Sequence, residues 1–463
     1  MSRLKPLGVE FSESPKKTSQ PELLKDIFPF VKPPRLPLDF LSPLPLIPKD
    51  IFLTDTTFRD GAQAREPYTL EQILKLFEYL HRLSGPKGVV RWTEFFLYTK
   101  RDRAIVREIL DLGYEYPKVT GWIRASLNDL RLVKELKLPE TGILTSISDY
   151  HIFFKLGMSR EAAIRKYLKV AEEALRNNIL PRCHLEDVTR ADIWGCVVPF
   201  VRELVRLSEK YGMPVKVRLA DTLGMGVPFP HAALPRSVPK LVHVLRNYCF
   251  LPSDSIEFHG HNDFSLAVAN SLAAWFYGAS AVNCTLLGIG ERAGNTPLEV
   301  MLLHYVSITD DTSVDLRLVT EVADYYRRII GHTVPPSQPL IGDKVFSTAA
   351  GIHADGLLKN IEVYLPFDVK NVLGREPRVF INDRSGKAGI ALWVNHFFGL
   401  KGDERINKDH PGVAKIYEEV MHQYEEGRVT AFSDEELLGL VKRFLPEIWQ
   451  RYGRRYTSLC TAR

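Results

Sequence analysis

Two histidines one residue apart, His259 and His261 in HGHND, are the first feature with chemical consequence. On a β-strand, residues i and i+2 face the same side, so both imidazoles can enter one space. Asp60, at the end of TDTTFRD, adds a carboxylate oxygen, and Asn295 in GERAGN adds an amide. Two nitrogens with such oxygens can hold a divalent cation and leave coordination positions open. Mn²⁺, Mg²⁺, Co²⁺ and Zn²⁺ all suit these donors. A cation there can chelate the keto and carboxylate oxygens of a 2-oxo acid and polarise its carbonyl carbon. Arg59, next to Asp60, is placed to offer positive charge to an enolate oxygen.

Other polar residues fall at the ends of apolar runs. Arg182, His184 and Glu186 alternate in RCHLED, Arg124 ends GWIR, and Arg218 lies in KVRLAD. A carboxylate at Glu186 could orient or tune a base. Each arginine could grip a substrate carboxylate with two hydrogen bonds, or equally form a structural ion pair. His353, in the small-residue loop GIHADG, reads by itself as a surface histidine.

Something must bring these residues together. From Ile51, short β-rich runs alternate with amphipathic segments. The runs are IFLTDTT, VVRWTEFF, VTGWIRAS, GILTSIS, PRCHLED, VKVRLAD, SIEFHGH and AVNCTLLG, with helical stretches such as LEQILKLFEYLHRL between them. Eight strands with intervening helices predict an α/β fold, a (β/α)₈ TIM barrel, followed by a smaller mixed or helical C-terminal region. A doubly wound sheet would place a glycine-rich phosphate loop after its first strand, where this chain has FRDGAQAR. The expected organisation is a proline-rich N-terminal arm over 1–48, lying on the domain or on a partner, and a barrel over 49–315. A subdomain follows over 316–400, then a helical tail over 401–463.

Composition sets the class. The chain has 463 residues, 45% of them hydrophobic, enough for a large core and two domains. The net charge of +5, 61 basic against 56 acidic residues, marks no nucleic-acid binder, and no nucleic-acid partner is expected. Five scattered cysteines without a CxxC pair argue for a reducing compartment and against a thiolate zinc site. With no apolar membrane-length run and no leader-like N-terminus, no membrane is expected and the cytoplasm is the expected location.

At this point the chain resembles a known family, the acetyl-CoA-dependent Claisen-condensing synthases of the DRE-TIM metallolyase group. The matching pieces are TDTTFRDGAQA, SDYHIFFKLGMSRE, HLEDVTRAD, ADTLGMG, HGHNDF, NCTLLGIGERAGNTPLE, GIHADG, YLPFDV and RSGKAG, in the family's order over roughly residues 50–395. The resemblance implies a divalent metal, with Mn²⁺ the expected ion, held by Asp60, His259, His261 and Asn295. It implies that Arg59 stabilises the enolate and that Thr222 holds the 2-oxo acid carboxylate. Glu186 and His353 are implied to take a proton from the acetyl methyl, with Tyr364 assisting and His353 supplied by the partner in a domain-exchanged homodimer. Only about 75 residues follow RSGKAG, too few for the leucine-sensing domain of many relatives. Segments such as TEFFLY and RCHLEDVTRADI are most similar to the family's Re-citrate synthases. That implies acetyl-CoA and oxaloacetate as substrates and citrate and CoA as products. The far carboxylate of oxaloacetate needs a cation, for which Arg124, Arg182, His184 and Arg218 are candidates. Isopropylmalate, homocitrate or citramalate synthesis, a carbon–carbon lyase on the same barrel, and a non-catalytic regulatory relative are the alternatives.

Overall fold

A computed structural model describes residues 14–28, 35–39 and 42–453. Parts of the expected arm (1–13, 29–34 and 40–41) and the end of the tail (454–463) lie outside the described residues. The chain divides into two compact units, one ending at Asp315 and one beginning at Leu316.

The first unit is a closed barrel of eight parallel strands in chain order. They are β1 (Phe52–Asp55), β2 (Val90–Phe96), β3 (Lys118–Arg124), β4 (Glu140–Ser146), β5 (Leu180–Glu186), β6 (Lys216–Asp221), β7 (Ile256–Gly260) and β8 (Ala281–Cys284). Each run expected to be a strand overlaps one, and the expected (β/α)₈ barrel is the architecture observed. The last strand stops at Cys284 rather than running on to Gly288, because Leu287 adopts a left-handed conformation (φ 57°) in a tight turn. The major helices of this unit are α1 (Leu70–Ser84), α2 (Lys100–Asp111), α3 (Leu127–Glu135), α4 (Arg160–Arg176), α5 (Val198–Tyr211), α6 (Val238–Asn247), α7 (Ala267–Phe276) and α8 (Leu298–Thr309). Thr69 and Thr99 start α1 and α2 with reciprocal capping boxes, which fixes where each loop ends.

Partners in a parallel ladder face the same way, so the register decides what fills the barrel. Asn283 pairs with both His259 and Thr54. Leu144, His184, Arg218 and Glu257 run side by side across β4–β7. Outward positions such as Ile143, Cys183, Val217 and Phe258 are fully buried under the helices, as a parallel sheet covered on that face requires. The interior is ionic: Glu94, Glu140 and Glu257 meet Arg182, Lys216 and Arg218, all buried or nearly so. Buried charges persist only when paired, and here three carboxylates face three cations.

The described part of the arm lies on the barrel unit. Leu38 bridges Ala232, Asp39 pairs with Lys240, and Ile27 and Phe28 are buried. In the second unit, α9 (Leu318–Tyr325) runs into a π-helical turn, and a two-stranded pair, β9 (Ser347–Thr348) with β10 (Arg378–Val379), sits among α10 (Gly351–Lys359), α11 (Val369–Leu373) and α12 (Gly386–Phe398). Three further helices close the unit: α13 (Pro411–Glu425), α14 (Asp434–Phe444) and α15 (Pro446–Tyr452). Its core gathers Trp393, Val394, Val413, Ile416, Leu437 and Leu445.

Candidate active site

The C-terminal strand ends open into a cavity of about 170 Å³ lined by Arg59, Asp60, His184, Arg218, His259 and His261. That is below the roughly 300–1,000 Å³ of sites for drug-sized ligands, and fits a small acid.

Asp60, His259 and His261 form the candidate metal centre. One donor atom from each lies within 4.8 Å of the others, and among the described residues no other such group of His, Cys, Asp and Glu occurs. Asp60 Oδ2 lies 3.5 Å from His259 Nε2 and 3.6 Å from His261 Nε2. Asn295 donates to the same oxygen at 2.6 Å, and its own buried Oδ1 has no hydrogen-bond partner. Nδ1 of His261 is likewise buried and unpartnered, whereas Nδ1 of His259 meets Asn283 Oδ1 at 2.7 Å. Asn283 in turn donates to Thr54 at 2.8 Å, so its carbonyl oxygen is the atom facing the ring and the ring's Nε2 is left as a lone-pair donor. Burial alone would raise the Asp60 carboxyl, but the Arg59 charge and then the two imidazoles hold it well below the usual range. Burial pushes His259 down to about 3 and lowers His261 as well, against the charge of Asp60. An ionised carboxylate with two neutral imidazoles is a donor set that fits a divalent cation.

Beside it, Arg59 donates to Asp60 at 2.8 Å and to Glu94 at 2.9 Å, and stacks over Trp122 at 5.3 Å. Glu94 Oε2 also takes a hydrogen bond from Arg218 at 3.1 Å, and Glu257 takes another from Arg218 at 2.7 Å. Arg218 Nη2 remains buried without a partner. His184 stands close by. Trp122, whose indole N–H can only donate, points it at His184 Nδ1 (3.2 Å), so the neutral ring carries its proton on Nε2. Burial and then the Arg218 charge hold His184 well below its ordinary value, so the cation here is Arg218. Gly142 makes this possible, since a Cβ there would sit 2.6 Å from His184 Nε2. Thr222 accepts from the Asp187 N–H at 2.8 Å, and its hydroxyl donates only a long bond of 3.4 Å to the Ala220 carbonyl, which a ligand oxygen can replace.

Not every barrel residue expected at the cavity reaches it. Arg124 ends β3 but is exposed, its guanidinium captured by Asp129 in the first turn of α3 at 2.8 and 3.0 Å. Arg182 faces inward but deeper in the barrel, pairing with Glu140 and, at 3.3 Å, with Glu257. His353 and Tyr364 lie in the second unit, exposed, with ring centroids 4.4 Å apart. Glu186 lines the cavity and is held by Lys155 and His151, which sequence reasoning passed over. Their signal was a histidine and a lysine four residues apart in SDYHIFFK. Asn283 and Trp122 were also missed; each is a polar-tipped side chain at an inward position of an apolar strand.

The family model described as HMGL-like matches residues 50–325. The chain is 48% identical over 432 residues to "Citrate (Re)-synthase" of Syntrophus aciditrophicus, covering 93% of this chain and 68% of that protein. It is 47% identical over 439 residues to "Citrate (Re)-synthase" of Clostridium kluyveri, covering 94% of this chain and 97% of that protein. Among solved structures it is similar to hydroxymethylglutaryl-CoA lyase from Pseudomonas aeruginosa. There the TM-score is 0.50 at 15% identity, over 62% of this chain and 95% of that one, a likeness of fold.

Proposed function

The chain belongs to the HMGL-like family, and from that premise we propose that it condenses acetyl-CoA with oxaloacetate and water to give citrate and CoA. It is an acyltransferase that turns the acyl group into an alkyl group on transfer. The observation that carries the substrate assignment is Arg218, a buried guanidinium with an unpartnered Nη2 in a cavity shared with the Asp60–His259–His261 cluster. A dicarboxylate supplies both a chelating end and a far carboxylate for that donor. A branched aliphatic 2-oxo acid would leave it unsatisfied.

Asp60, His259 and His261, with Asn295 beside them, would hold a divalent metal, of which Mn²⁺ is the ion we favour. When bound, it supplies Lewis acidity at the keto carbon. Thr222 grips the carboxylate next to the ketone and Arg218 the distal one. Arg59 places its charge where the acetyl enolate oxygen develops. Glu186 orients the group that takes the methyl proton. The new carbon–carbon bond forms between the acetyl methyl carbon and the keto carbon, and water then cleaves the thioester.

The proposal extends to a domain-exchanged homodimer in which His353 and Tyr364 of one copy complete the mouth of the other. The exposure of Ile352, Ile361, Val363 and Tyr364 supports it, since a large apolar group at a monomer surface favours burial against a partner. Cytoplasmic location is supported by Cys183, Cys196, Cys249 and Cys284, all buried free thiols. No helix among the described residues is long and apolar enough to cross a membrane.

The test is free-thiol release from acetyl-CoA with Mn²⁺ and, in parallel, oxaloacetate, 2-oxoisovalerate, 2-oxoglutarate or pyruvate. Release with oxaloacetate alone is expected. Release with a different acid would overturn the substrate assignment.

A further inference from the structure

We propose that Lys155 and His151, carried on one π-helical turn, are positioning residues for this reaction: together they anchor Glu186 as an anion at the barrel mouth. The inference rests on the reading above, in which Glu186 orients the proton-accepting group.

After β4 the chain winds through a π-helical turn, Tyr150–Lys155, in which the Leu156 N–H reaches the His151 carbonyl at 2.9 Å. Such wide turns are uncommon and recur at functional sites. Residues four apart on it return to the same side, which brings His151 and Lys155 to one carboxylate. Lys155 Nζ donates to both oxygens of Glu186, at 2.8 and 2.7 Å. His151 Nδ1 lies 3.1 Å from Glu186 Oε2 and its Nε2 lies 3.6 Å from Asp187 Oδ2, so the ring bridges two successive carboxylates. The Ser146 hydroxyl donates to Glu186 from β4. Tyr167 of α4 and the Asp187–Arg190 pair are further ionisable groups nearby, and Arg59, His184 and Arg218 line the same cavity. Burial alone would raise the Glu186 carboxyl, but the His151 hydrogen bond and the His151 and Lys155 charges bring it down to about 2. Held this way, Glu186 stays ionised and orients a base rather than taking the proton itself.

The turn is tied from outside by the N-terminal arm. The Tyr150 hydroxyl donates to the Leu23 carbonyl at 3.0 Å, and the Lys25 ammonium lies 5.5 Å from the Tyr150 ring. The Glu22 N–H donates to Asp149 at 2.7 Å, and Arg160 holds Asp149 with two hydrogen bonds of 2.8 Å. Residues 22–25 therefore share one turn with the groups that hold Glu186, and the arm belongs to the same positioning set.

The experiment compares full-length, Mn²⁺-loaded wild type with Lys155→Met, Lys155→Arg, Tyr150→Phe and Glu186→Gln. It measures kcat, both KM values, Mn²⁺ affinity and the pH profile of kcat/KM. Lys155→Met is expected to lower kcat roughly 10- to 100-fold, the scale on which removing an orienting partner acts. KM for oxaloacetate and Mn²⁺ affinity should hold. The acid limb should move to higher pH, because Glu186 loses the cation that keeps it ionised. Lys155→Arg should recover most of the rate, and Tyr150→Phe should show a smaller loss of the same kind. Lys155→Gln replaces the Met variant should that one not fold. Wild-type kcat and pH profile in the Lys155 variants, a loss that Arg does not rescue, or full activity in Glu186→Gln would overturn the proposal. Failure of the wild type to release CoA with any 2-oxo acid would overturn the functional reading itself, and is visible before any variant is made.

Discussion

Asn283 Oδ1 lies 2.7 Å from Nδ1 of His259, and this contact decides which nitrogen the ring turns toward Asp60. The pair is set by strand register, since Asn283 sits opposite His259 in the β7–β8 ladder. Truncating Asn283 to alanine should leave the barrel folded but free the imidazole to rotate. Mn²⁺ affinity, read by competition titration, is expected to weaken about 10- to 100-fold. Unchanged affinity would mean that His259 needs no such support.

Gly142 leaves the space that His184 and Glu94 occupy. A Cβ there would stand 2.6 Å from His184 Nε2 and 2.9 Å from Glu94 Oε1. Gly142→Ala is therefore expected to cost about 1–3 kcal/mol in denaturant unfolding and to raise KM for oxaloacetate. A variant with wild-type stability and KM would show that this layer of the barrel yields easily.

Arg218 is held by Glu94 and Glu257 and still has a donor to spare. Removing it outright takes one of its arginine partners from each of two buried carboxylates, Glu94 and Glu257, so Arg218→Met should lose about 3–5 kcal/mol of stability. Arg218→Lys keeps the charge and loses the fork. For it we expect KM for oxaloacetate to rise roughly 10- to 100-fold, with KM for acetyl-CoA unchanged. Equal increases in both constants would point to general damage rather than a lost carboxylate contact.

Acid should weaken the barrel interior in a defined direction. Burial would raise Glu94, but Arg218, Arg59 and Arg182 hold it near about 2, below its ordinary 4.5. Between those values the unfolded chain binds the proton and the folded one does not, so stability falls as pH drops from about 5 toward 2. Glu257 behaves alike, with Arg182 and Arg218 as its partners. The melting midpoint of wild type should fall over that range, and Glu94→Gln should flatten part of the fall. An unchanged slope in the variant would remove Glu94 from the account.

Much of this was legible in the sequence because parity along a strand is a local property. The spacing of His259 and His261, and of Arg182, His184 and Glu186, gave the inward faces without knowledge of the fold. Depth is not local. Arg182 and Glu186 share a face, but four residues separate them by about 13 Å along the strand, so one pairs with Glu140 while the other lines the mouth. Arg124 carried the right parity too, and only the start of α3 explains its capture by Asp129. The four-residue spacing of His151 and Lys155 puts them on one side of a turn but does not say that they meet Glu186, which comes from a different strand. The unpartnered atoms on Arg218, His261 and Asn295 are known only once every neighbour is placed.

The most direct test of the central claim is the ratio of citrate formed to CoA released from acetyl-CoA and oxaloacetate. It is measured on the protein as purified, after chelation, and after Mn²⁺ is restored. The account predicts one citrate per CoA, loss of both on chelation, and recovery of both with the metal. His259→Ala should stay silent throughout. CoA release without citrate, or citrate formation indifferent to chelation and to the loss of His259, would contradict it.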